Sequence, residues 1–180
     1  MTDKPVQRRR LPLTITAPTL LVDGTDTTFR ELITSLVRLS ENLITIRKGL
    51  SKRLGVTGPQ YGVLFAIAQL QNGEGVSVSK VAQHIGVTGA FVTTEVGKLA
   101  RRGLVNKAAS ARDRRAVLLT LTQAGHDLLE RFAPQLQAVN NEMFGGLSRE
   151  EFSALLGIVR RLTSGEARAR ERLEQSRRSG

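Results

Sequence analysis

Basic side chains are concentrated in one short stretch of this chain, residues 98–115. The stretch contains seven lysines and arginines and a single acid, Asp113. Arg112, Arg114 and Arg115 flank that acid in the segment ARDRR, between two runs, LVNKA and AVLLTLT, that are typical of strands. Guanidinium groups bind phosphate through charge-assisted hydrogen bonds. The spacing therefore predicts an arginine-rich hairpin tip whose chemistry is the binding of a polyanion.

The composition of the whole chain supports the same kind of partner. There are 27 Lys and Arg against 16 Asp and Glu among 180 residues, a formal net charge of +11. A positive charge of this size indicates a polyanionic binding partner, either nucleic acid or an anionic membrane surface. The absence of cysteine from the sequence excludes disulfides, thiolate metal sites, cysteine nucleophiles and thiol redox switches. It also fits a reducing compartment, so a cytoplasmic location is expected.

Residue sets that would support catalysis or metal binding are absent from the sequence. It has no glycine-rich phosphate loop, no Ser-His-Asp spacing and no cluster of metal ligands. The two histidines, His84 and His126, stand alone without a set of carboxylates around them. We therefore expect a protein that is not an enzyme, has no cofactor and binds no metal.

The elements that would hold the basic tip are predictable from apolar spacing and capping residues. A short helix begins after Ser77 and ends at Gly86, and a second begins after the candidate cap Thr88 and ends at Gly103. Two short helices joined by a tight turn are typical of a helix-turn-helix, and the hairpin that follows makes it a winged helix. In this arrangement the second helix enters the major groove of DNA and the hairpin lies over the adjacent, strongly negative minor groove.

The chain divides into five predicted segments. They are a flexible basic arm (1–25), an N-terminal dimerisation helix (26–56), a winged helix-turn-helix DNA-binding lobe (57–122), C-terminal dimerisation helices (123–164) and a charged tail (165–180). Capping-box patterns mark two helix starts, at Thr57 with Gln60 and at Ser148 with Glu151. The predicted fold class is thus mainly α, with a small β-hairpin wing.

The flanking helices have more apolar face than the middle of the chain could cover. They pack on each other within one chain or, as we favour, form a homodimer interface. A signal peptide is the alternative for the arm, but Pro12 and Pro18 interrupt its apolar part. No apolar run approaches the ~18 residues that a membrane span needs, so no membrane partner is expected.

The segments QYGVLFAIAQL and DRRAVLLTLTQAGHDLL resemble those of MarR-type transcriptional regulators, and the resemblance covers roughly Phe29 to Leu162. Its most specific part is Asp-x-Arg followed, after a short spacer, by Leu-Thr-x-x-Gly. The positions that match it are Asp113, Arg115, Leu121, Thr122 and Gly125. The resemblance implies a homodimer that binds a pseudo-palindromic DNA site, most often as a repressor.

The resemblance also implies roles for individual residues. Arg115 matches the wing arginine that enters the minor groove, Asp113 matches the acid that orients it, and Arg112 and Arg114 would bind phosphate. The recognition-helix contacts would be Thr88, Gly89, Ala90, Thr93, Thr94 and Lys98. We expect Arg115→Ala to cost specific affinity and Lys98→Ala to lower affinity uniformly across sequences.

Two positions of the recognition helix depart from the family pattern. Thr94 replaces a frequent arginine, and Glu95 replaces a frequent apolar residue. Small polar side chains read bases weakly, so DNA shape and the wing are expected to contribute more to recognition. Phe91 contacts a thymine methyl or packs inside the lobe.

The family binds small effectors between its dimer helices and the DNA lobe, typically phenolic or aromatic acids or their coenzyme A thioesters. The matching positions are Arg47, Tyr61 and Phe65, of which Arg47 could pair with an anionic group. The alternative is that Tyr61 and Phe65, spaced i and i+4, belong to the core and that Arg47 faces solvent. For the whole chain, the alternatives are a non-specific architectural DNA-binding protein and a winged helix used for protein interaction.

Overall fold

The structure is a computed structural model that describes residues 11–110 and 116–178. This part of the chain forms six α-helices and three short strands, which confirms the mainly α fold class with a small antiparallel sheet. The helices are α1 (Thr27–Leu54), α2 (Gly58–Leu70), α3 (Val78–Ile85), α4 (Gly89–Arg101), α5 (Gln123–Phe144) and α6 (Arg149–Arg178). The strands are β1 (Val76–Ser77), β2 (Val105–Ala109) and β3 (Val117–Leu121). The chain divides into two compact units, residues 1–126 and 127–180.

The turn between α1 and α2 is fixed by local sequence. Gly55 follows α1 in the left-handed conformation, with φ 74°, which favours glycine and ends the helix. The predicted capping box starts α2: the Gln60 N–H donates to the Thr57 hydroxyl at 3.3 Å, and the Thr57 N–H donates to Gln60 Oε1 at 3.2 Å. Pro59 fits in the first turn because its missing N–H would have no partner there. These caps turn the chain so that α2 packs against α1.

The helix-turn-helix consists of α3 and α4. The Ser77 hydroxyl caps α3 by accepting a hydrogen bond from the Lys80 N–H at 3.3 Å, and Gly86 ends this helix. The Thr88 hydroxyl caps α4 by accepting from the Phe91 N–H at 3.2 Å. Both helices pack on each other and on α2. The position of α4 is therefore set by packing on two helices, α2 and α3, and not by the turn alone.

The three strands form an antiparallel sheet in the order β1-β3-β2. The β2–β3 hairpin pairs Ala109 with Val117 near its tip, and the Ser110 N–H donates to the Ala116 carbonyl at 2.9 Å. This hairpin was predicted, whereas β1 was not. A strand of two residues is too short to produce an alternating apolar pattern.

The core of the first unit is built from apolar side chains of α2, α3, α4 and β3. The most deeply buried are Val63, Leu64, Ile67, Val81, Val92, Val96, Leu99 and Leu119. Each such burial stabilises the fold by roughly 1.5–3 kcal/mol relative to exposure. The buried apolar stripe of α4, Val92, Val96 and Leu99, determines which side of this helix faces outward.

The second unit contains most of α5 and all of α6. α5 continues through Pro134, and α6 begins with the second predicted capping box, in which Ser148 and Glu151 exchange hydrogen bonds of 2.8 and 3.1 Å. α6 then runs without a break to Arg178, so the described part of the charged tail is helical. The predicted segment boundary at residues 164 and 165 is not marked by a helix end.

Two helices expose apolar stripes in the single chain. On α1 the exposed residues are Leu32, Ile33, Leu36, Val37, Leu39, Leu43 and Ile44. On α6 they include Phe152, Leu155, Leu156, Ile158, Val159 and Leu162. Contiguous apolar surface of this extent is uncommon on a monomer and is typical of interaction surfaces.

The described part of the predicted flexible arm, residues 11–25, is tied to the start of α1. The Asp26 carboxylate accepts hydrogen bonds from the N–H and the hydroxyl of Thr14, each at 2.6 Å, and forms an ion pair with Arg30 at 3.0 Å. Arg30 also donates to the Pro12 carbonyl at 2.5 Å. The Arg30 and Thr14 hydrogen bonds hold the pKa of Asp26 well below its usual range. Side-chain partners this far apart in sequence leave no periodic signal, so the sequence did not indicate these contacts, and the flexibility of the arm stays a prediction.

Candidate nucleic-acid interface

The outward face of α4 carries small polar side chains. Thr88, Ala90, Thr93 and Thr94 are exposed and Gly89 is half-buried. Their roles as DNA contacts stay predictions. The Thr93 hydroxyl donates to the Gly89 carbonyl at 2.9 Å, and the Thr94 hydroxyl donates to the Ala90 carbonyl at 3.1 Å. Each hydroxyl oxygen can still accept a hydrogen bond. Side chains this short also allow the backbone of α4 to come close to a groove.

Lys98, the basic member of the predicted recognition set, is engaged by an acid of the same helix. Its Nζ lies 2.7 Å from Glu95 Oε1. The Glu95 side chain is 7% exposed and that of Lys98 is 44% exposed. Glu95 Oε2 has no hydrogen-bond partner within the described ranges. The sequence marked Glu95 as a departure from the family pattern but did not indicate that it is buried.

The predicted wing contacts, Arg112, Asp113, Arg114 and Arg115, lie outside the described residues, so their roles stay predictions. The described part of the wing is its support. Leu119 and Leu121 of β3 are buried, and the Leu121 N–H donates to Gln71 Oε1 at 2.8 Å. The base of the hairpin is thus anchored to the end of α2.

The Leu-Thr-x-x-Gly segment joins the wing to the lobe. The Thr122 hydroxyl donates to the Gly103 carbonyl at 2.6 Å and accepts from the Gly125 N–H at 3.0 Å. The Thr122 N–H donates to the Leu104 carbonyl at 3.1 Å. A Cβ at Gly125 would overlap the carbonyl oxygen of Leu104, so glycine is required by close approach of the backbone. The motif ties the end of β3 and the start of α5 to the turn that follows α4.

A cavity of about 300 Å³ lies between α1, α2 and the start of α4. Its two cationic residues are the sequence neighbours Arg47 and Lys48, and no acidic residue lines it in the described part of the chain. Its apolar lining comes from Ile44, Pro59, Ile85, Val87 and Phe91. Cations within an apolar wall suit a ligand that has both an anionic and an apolar part.

Of the three predicted ligand residues, Arg47 lines this cavity and the two aromatic residues do not. Tyr61 is buried and stacks on Phe65 with ring centroids 4.4 Å apart. The Arg47 guanidinium lies 5.6 Å from the Tyr61 ring centroid, within cation–π range. Burial raises the pKa of Tyr61, while the charge of Arg47 acts in the opposite direction. Tyr61 and Phe65 are therefore part of the packed lobe. Of the two, Tyr61 contacts the Arg47 guanidinium.

Sequence reasoning assigned none of the other lining residues to a ligand site, and two of them, Lys48 and Phe91, bear on ligand chemistry. Lys48 follows Arg47 directly, and this doublet was the available signal. Phe91 was assigned to a thymine contact or to packing in the lobe, and the structure instead places it in the cavity lining, 36% exposed. No sequence pattern reveals that one turn of α4 contributes both to an outward face and to a cavity wall.

The described residues were also compared with the requirements of a metal site and of a membrane-spanning helix. His84 Nε2 lies 3.1 Å from Gln69 Oε1. No group of three or more His, Cys, Asp or Glu that could hold a metal ion is found in residues 11–110 and 116–178. Within the same ranges, no helix combines the length and the apolar content that crossing a bilayer requires.

Known proteins share both the sequence and the fold of this lobe. A family model described as MarR family matches residues 54–116, from the end of α1 to the start of the second wing strand. The transcriptional activatory protein BadR of Rhodopseudomonas palustris is 30% identical over 121 residues, which are 63% of this chain and 69% of BadR. The chain belongs to the MarR family. It is therefore a DNA-binding transcriptional regulator with a winged helix, and its relatives are regulators rather than enzymes.

The solved structures that resemble this MarR-family chain include two with a bound ligand. PcaV of Streptomyces coelicolor, in complex with its natural ligand, is 26% identical, with a TM-score of 0.56 over 70% of this chain and 89% of PcaV. CouR of Rhodococcus jostii RHA1, bound to p-coumaroyl-CoA, is 22% identical, with a TM-score of 0.63 over 71% of this chain and 87% of CouR. The similarity extends beyond the family-model match to most of the chain.

Proposed function

We propose that this chain is a homodimeric repressor that binds a pseudo-palindromic operator and is released by a small anionic aromatic ligand. The observation that carries this proposal is the cavity with Arg47 on one wall and Phe91 of the recognition helix on another. A ligand in it would contact α1 and α4 at once, so its affinity would depend on the position of α4. A ligand that binds one position of α4 more tightly than the other shifts the protein toward that position.

The chemistry of the cavity favours an aromatic or phenolic acid or its coenzyme A thioester. A guanidinium such as that of Arg47 pairs with a carboxylate through two parallel hydrogen bonds. Lys48 adds a second positive charge for a carboxylate or a phosphate. The volume of about 300 Å³ is at the lower end of ligand sites and suits one aromatic ring with its acid group, so the coenzyme A part of a thioester would lie outside the cavity. CouR, which shares the fold, binds an aromatic acyl thioester of this class.

On the DNA side, the exposed threonines of α4 would enter the major groove. Arg115 would enter the minor groove, with Asp113 fixing its orientation and Arg112 and Arg114 binding phosphate. The anchored base of the β2–β3 hairpin supports this proposal, because a firmly held hairpin loses less entropy when its tip binds.

The homodimer is proposed from the exposed apolar stripes of α1 and α6. A second copy of the chain would cover them, and it would supply a second α4. Two such helices read half-sites that lie about 34–36 Å apart, one turn of B-DNA.

Fluorescence-anisotropy titration tests the DNA-binding part of the proposal. The probes are the duplex upstream of the chain's own gene and a shuffled duplex of equal composition, each at two salt concentrations. We expect tight binding to the first and binding at least about a thousandfold weaker to the second. The Arg115→Ala variant should lose much of this difference. Equal, salt-sensitive binding to both duplexes would favour the architectural alternative.

The same assay tests release by a ligand. Benzoic and hydroxycinnamic acids and their coenzyme A thioesters are titrated into the preformed complex, with the matching neutral amides as controls. We expect the acids or thioesters, and not the amides, to release the duplex. An acid that binds the protein, leaves the duplex bound and raises transcription in vitro would instead make the chain an activator, as BadR is named.

A further inference from the structure

The recognition helix contains a buried acid that the proposed function does not use. Glu95 is 5% exposed, and its Oε2 is buried without a hydrogen-bond partner in the described residues. A buried carboxylate is strongly unfavourable unless a cation compensates it. Lys98 supplies that cation at 2.7 Å. Because the Glu95 side chain is 7% exposed, solvent screens its ion pair with Lys98 less than it would screen a fully exposed pair.

This pairing changes the charge that α4 presents to DNA. Lys98 is one of the seven basic residues of the 98–115 stretch, but its charge is cancelled by a carboxylate one turn away on the same helix. The two nearest basic residues, Arg101 and Arg102, are hydrogen-bonded to neutral groups in the described structure. Arg101 donates to the Gly97 carbonyl at 3.4 Å and Arg102 to Gln60 Oε1 at 3.5 Å, both neutral oxygens.

We propose that Glu95 is a positioning residue that limits the sequence-independent affinity of this chain for DNA. It does so by keeping Lys98 in an internal ion pair and away from phosphate. The inference rests on the proposed contact between α4 and DNA. Sequence-independent affinity comes from cations that neutralise phosphates, and each neutralised phosphate steepens the salt dependence of log K by about 0.9. In a chain with a net charge of +11, one withheld cation on the recognition helix restrains binding to random sequence.

The test compares Glu95→Gln with Glu41→Gln on the shuffled duplex over a range of salt concentrations. Both variants gain one unit of net charge, but Glu41 is exposed in the middle of α1. We expect Glu95→Gln to bind the shuffled duplex severalfold more tightly at low salt and to steepen the salt slope by about 0.9, as one more phosphate is neutralised. The slope of Glu41→Gln should equal that of the parent.

Lys98→Gln is made in the parent protein and in Glu95→Gln, and it shows whether Glu95 acts through Lys98. In the parent protein, Lys98→Gln should leave the salt slope of DNA binding unchanged. The sequence alone predicted instead that Lys98 contributes to affinity for every DNA sequence. In Glu95→Gln, the Lys98→Gln substitution should return the slope to the parent value. Lys98→Gln leaves a buried carboxylate without its cation, so its folding is checked by thermal unfolding. If it does not fold, Glu95→Gln and the double variant decide the question by themselves.

Three results would overturn the inference: an unchanged slope in folded Glu95→Gln, weaker binding by that variant, or a slope lowered by about 0.9 in folded Lys98→Gln. A parent protein that binds neither duplex in a salt-dependent manner would instead refute the proposed DNA contact itself. The two failures are thus distinguishable.

Discussion

Arg47 is the residue whose surroundings best support the proposed effector contact. Its guanidinium lies over the ring of Tyr61 and close to Gly62, where a Cβ would overlap it. Arg47 is exposed, but these contacts with α2 reduce the number of side-chain conformations that it can adopt. An arginine held in this way loses less entropy when it pairs with an anion than a freely moving one does.

We predict that Arg47→Met weakens effector binding at least about tenfold and leaves operator affinity in the absence of effector unchanged. The loss corresponds to about 1.5–3 kcal/mol for a hydrogen bond to a charged group. Isothermal titration calorimetry measures the first quantity and fluorescence anisotropy the second. Arg38→Met, at an exposed position of the same helix, is the matched control and should change neither. Equal effector affinity of Arg47→Met and the parent would remove Arg47 from the site.

The residues that could be predicted from the sequence were those whose function depends on near neighbours. Thr57, Thr88 and Ser148 cap helices because they stand a few residues before the N–H groups that they accept from, so the pattern is local. The spacing of Tyr61 and Phe65 placed them correctly on one face of α2 but did not identify what that face contacts. Nor did it show that Glu95, at the edge of the apolar stripe of α4, is covered by the lobe.

At the scale of elements, Thr122 and Gly125 hold the wing, the turn after α4 and the start of α5 in one arrangement. We predict that Gly125→Ala lowers the free energy of unfolding by about 1–3 kcal/mol or more, since its Cβ would meet backbone that cannot rotate away. Urea denaturation measures the change. Gly97→Ala in α4 is the control, because nothing lies within 4 Å of its added Cβ. That variant should be neutral or stabilised by about 0.5–1 kcal/mol.

The contact between the arm and α1 should depend on pH. The folded-state pKa of Asp26 lies below its unfolded value of about 3.9, so its stabilising effect is complete above that value and is lost as the pH falls toward the folded pKa. We predict that amides of residues 11–25 lose hydrogen-exchange protection below about pH 4, and already at neutral pH in Asp26→Asn. Asp23→Asn, at an exposed position nearby, should keep the parent's protection. Full protection in Asp26→Asn would show that other contacts hold the arm.

A helix or strand could be predicted from the sequence when it was long and when the residues that specify it are near neighbours in the chain. The long helices and the hairpin were found because apolar spacing repeats several times within each. β1 was missed because its two residues gain their strand conformation from β3, which lies about forty residues later in the chain. The attachment of residues 11–25 was missed for the same reason, since it depends on pairs between Thr14, Asp26 and Arg30 rather than on a repeating pattern.

For the whole molecule, the apolar stripe of α6 provides the most direct test of assembly. We predict that Val159→Glu converts a dimer into a monomer in light scattering coupled to size-exclusion chromatography, because the new charge would be buried without a partner. It should also reduce affinity for a two-half-site operator far more than for a single half-site. Ser164→Glu adds the same charge at an exposed position on the side of α6 away from the stripe and should remain dimeric. A parent that is monomeric at micromolar concentration would contradict the proposed assembly.

The place of Val87 and Phe91 in the cavity lining also constrains how such a regulator can diverge. These residues flank Thr88, which caps the recognition helix, so substitutions that reshape the cavity there also move the groups proposed to face DNA. Substitutions at Ile44 or Arg47 reshape the same cavity from α1 and leave α4 in place. Changes of effector preference that preserve the operator should therefore accumulate on α1, and libraries for engineered biosensors are best directed to that wall first.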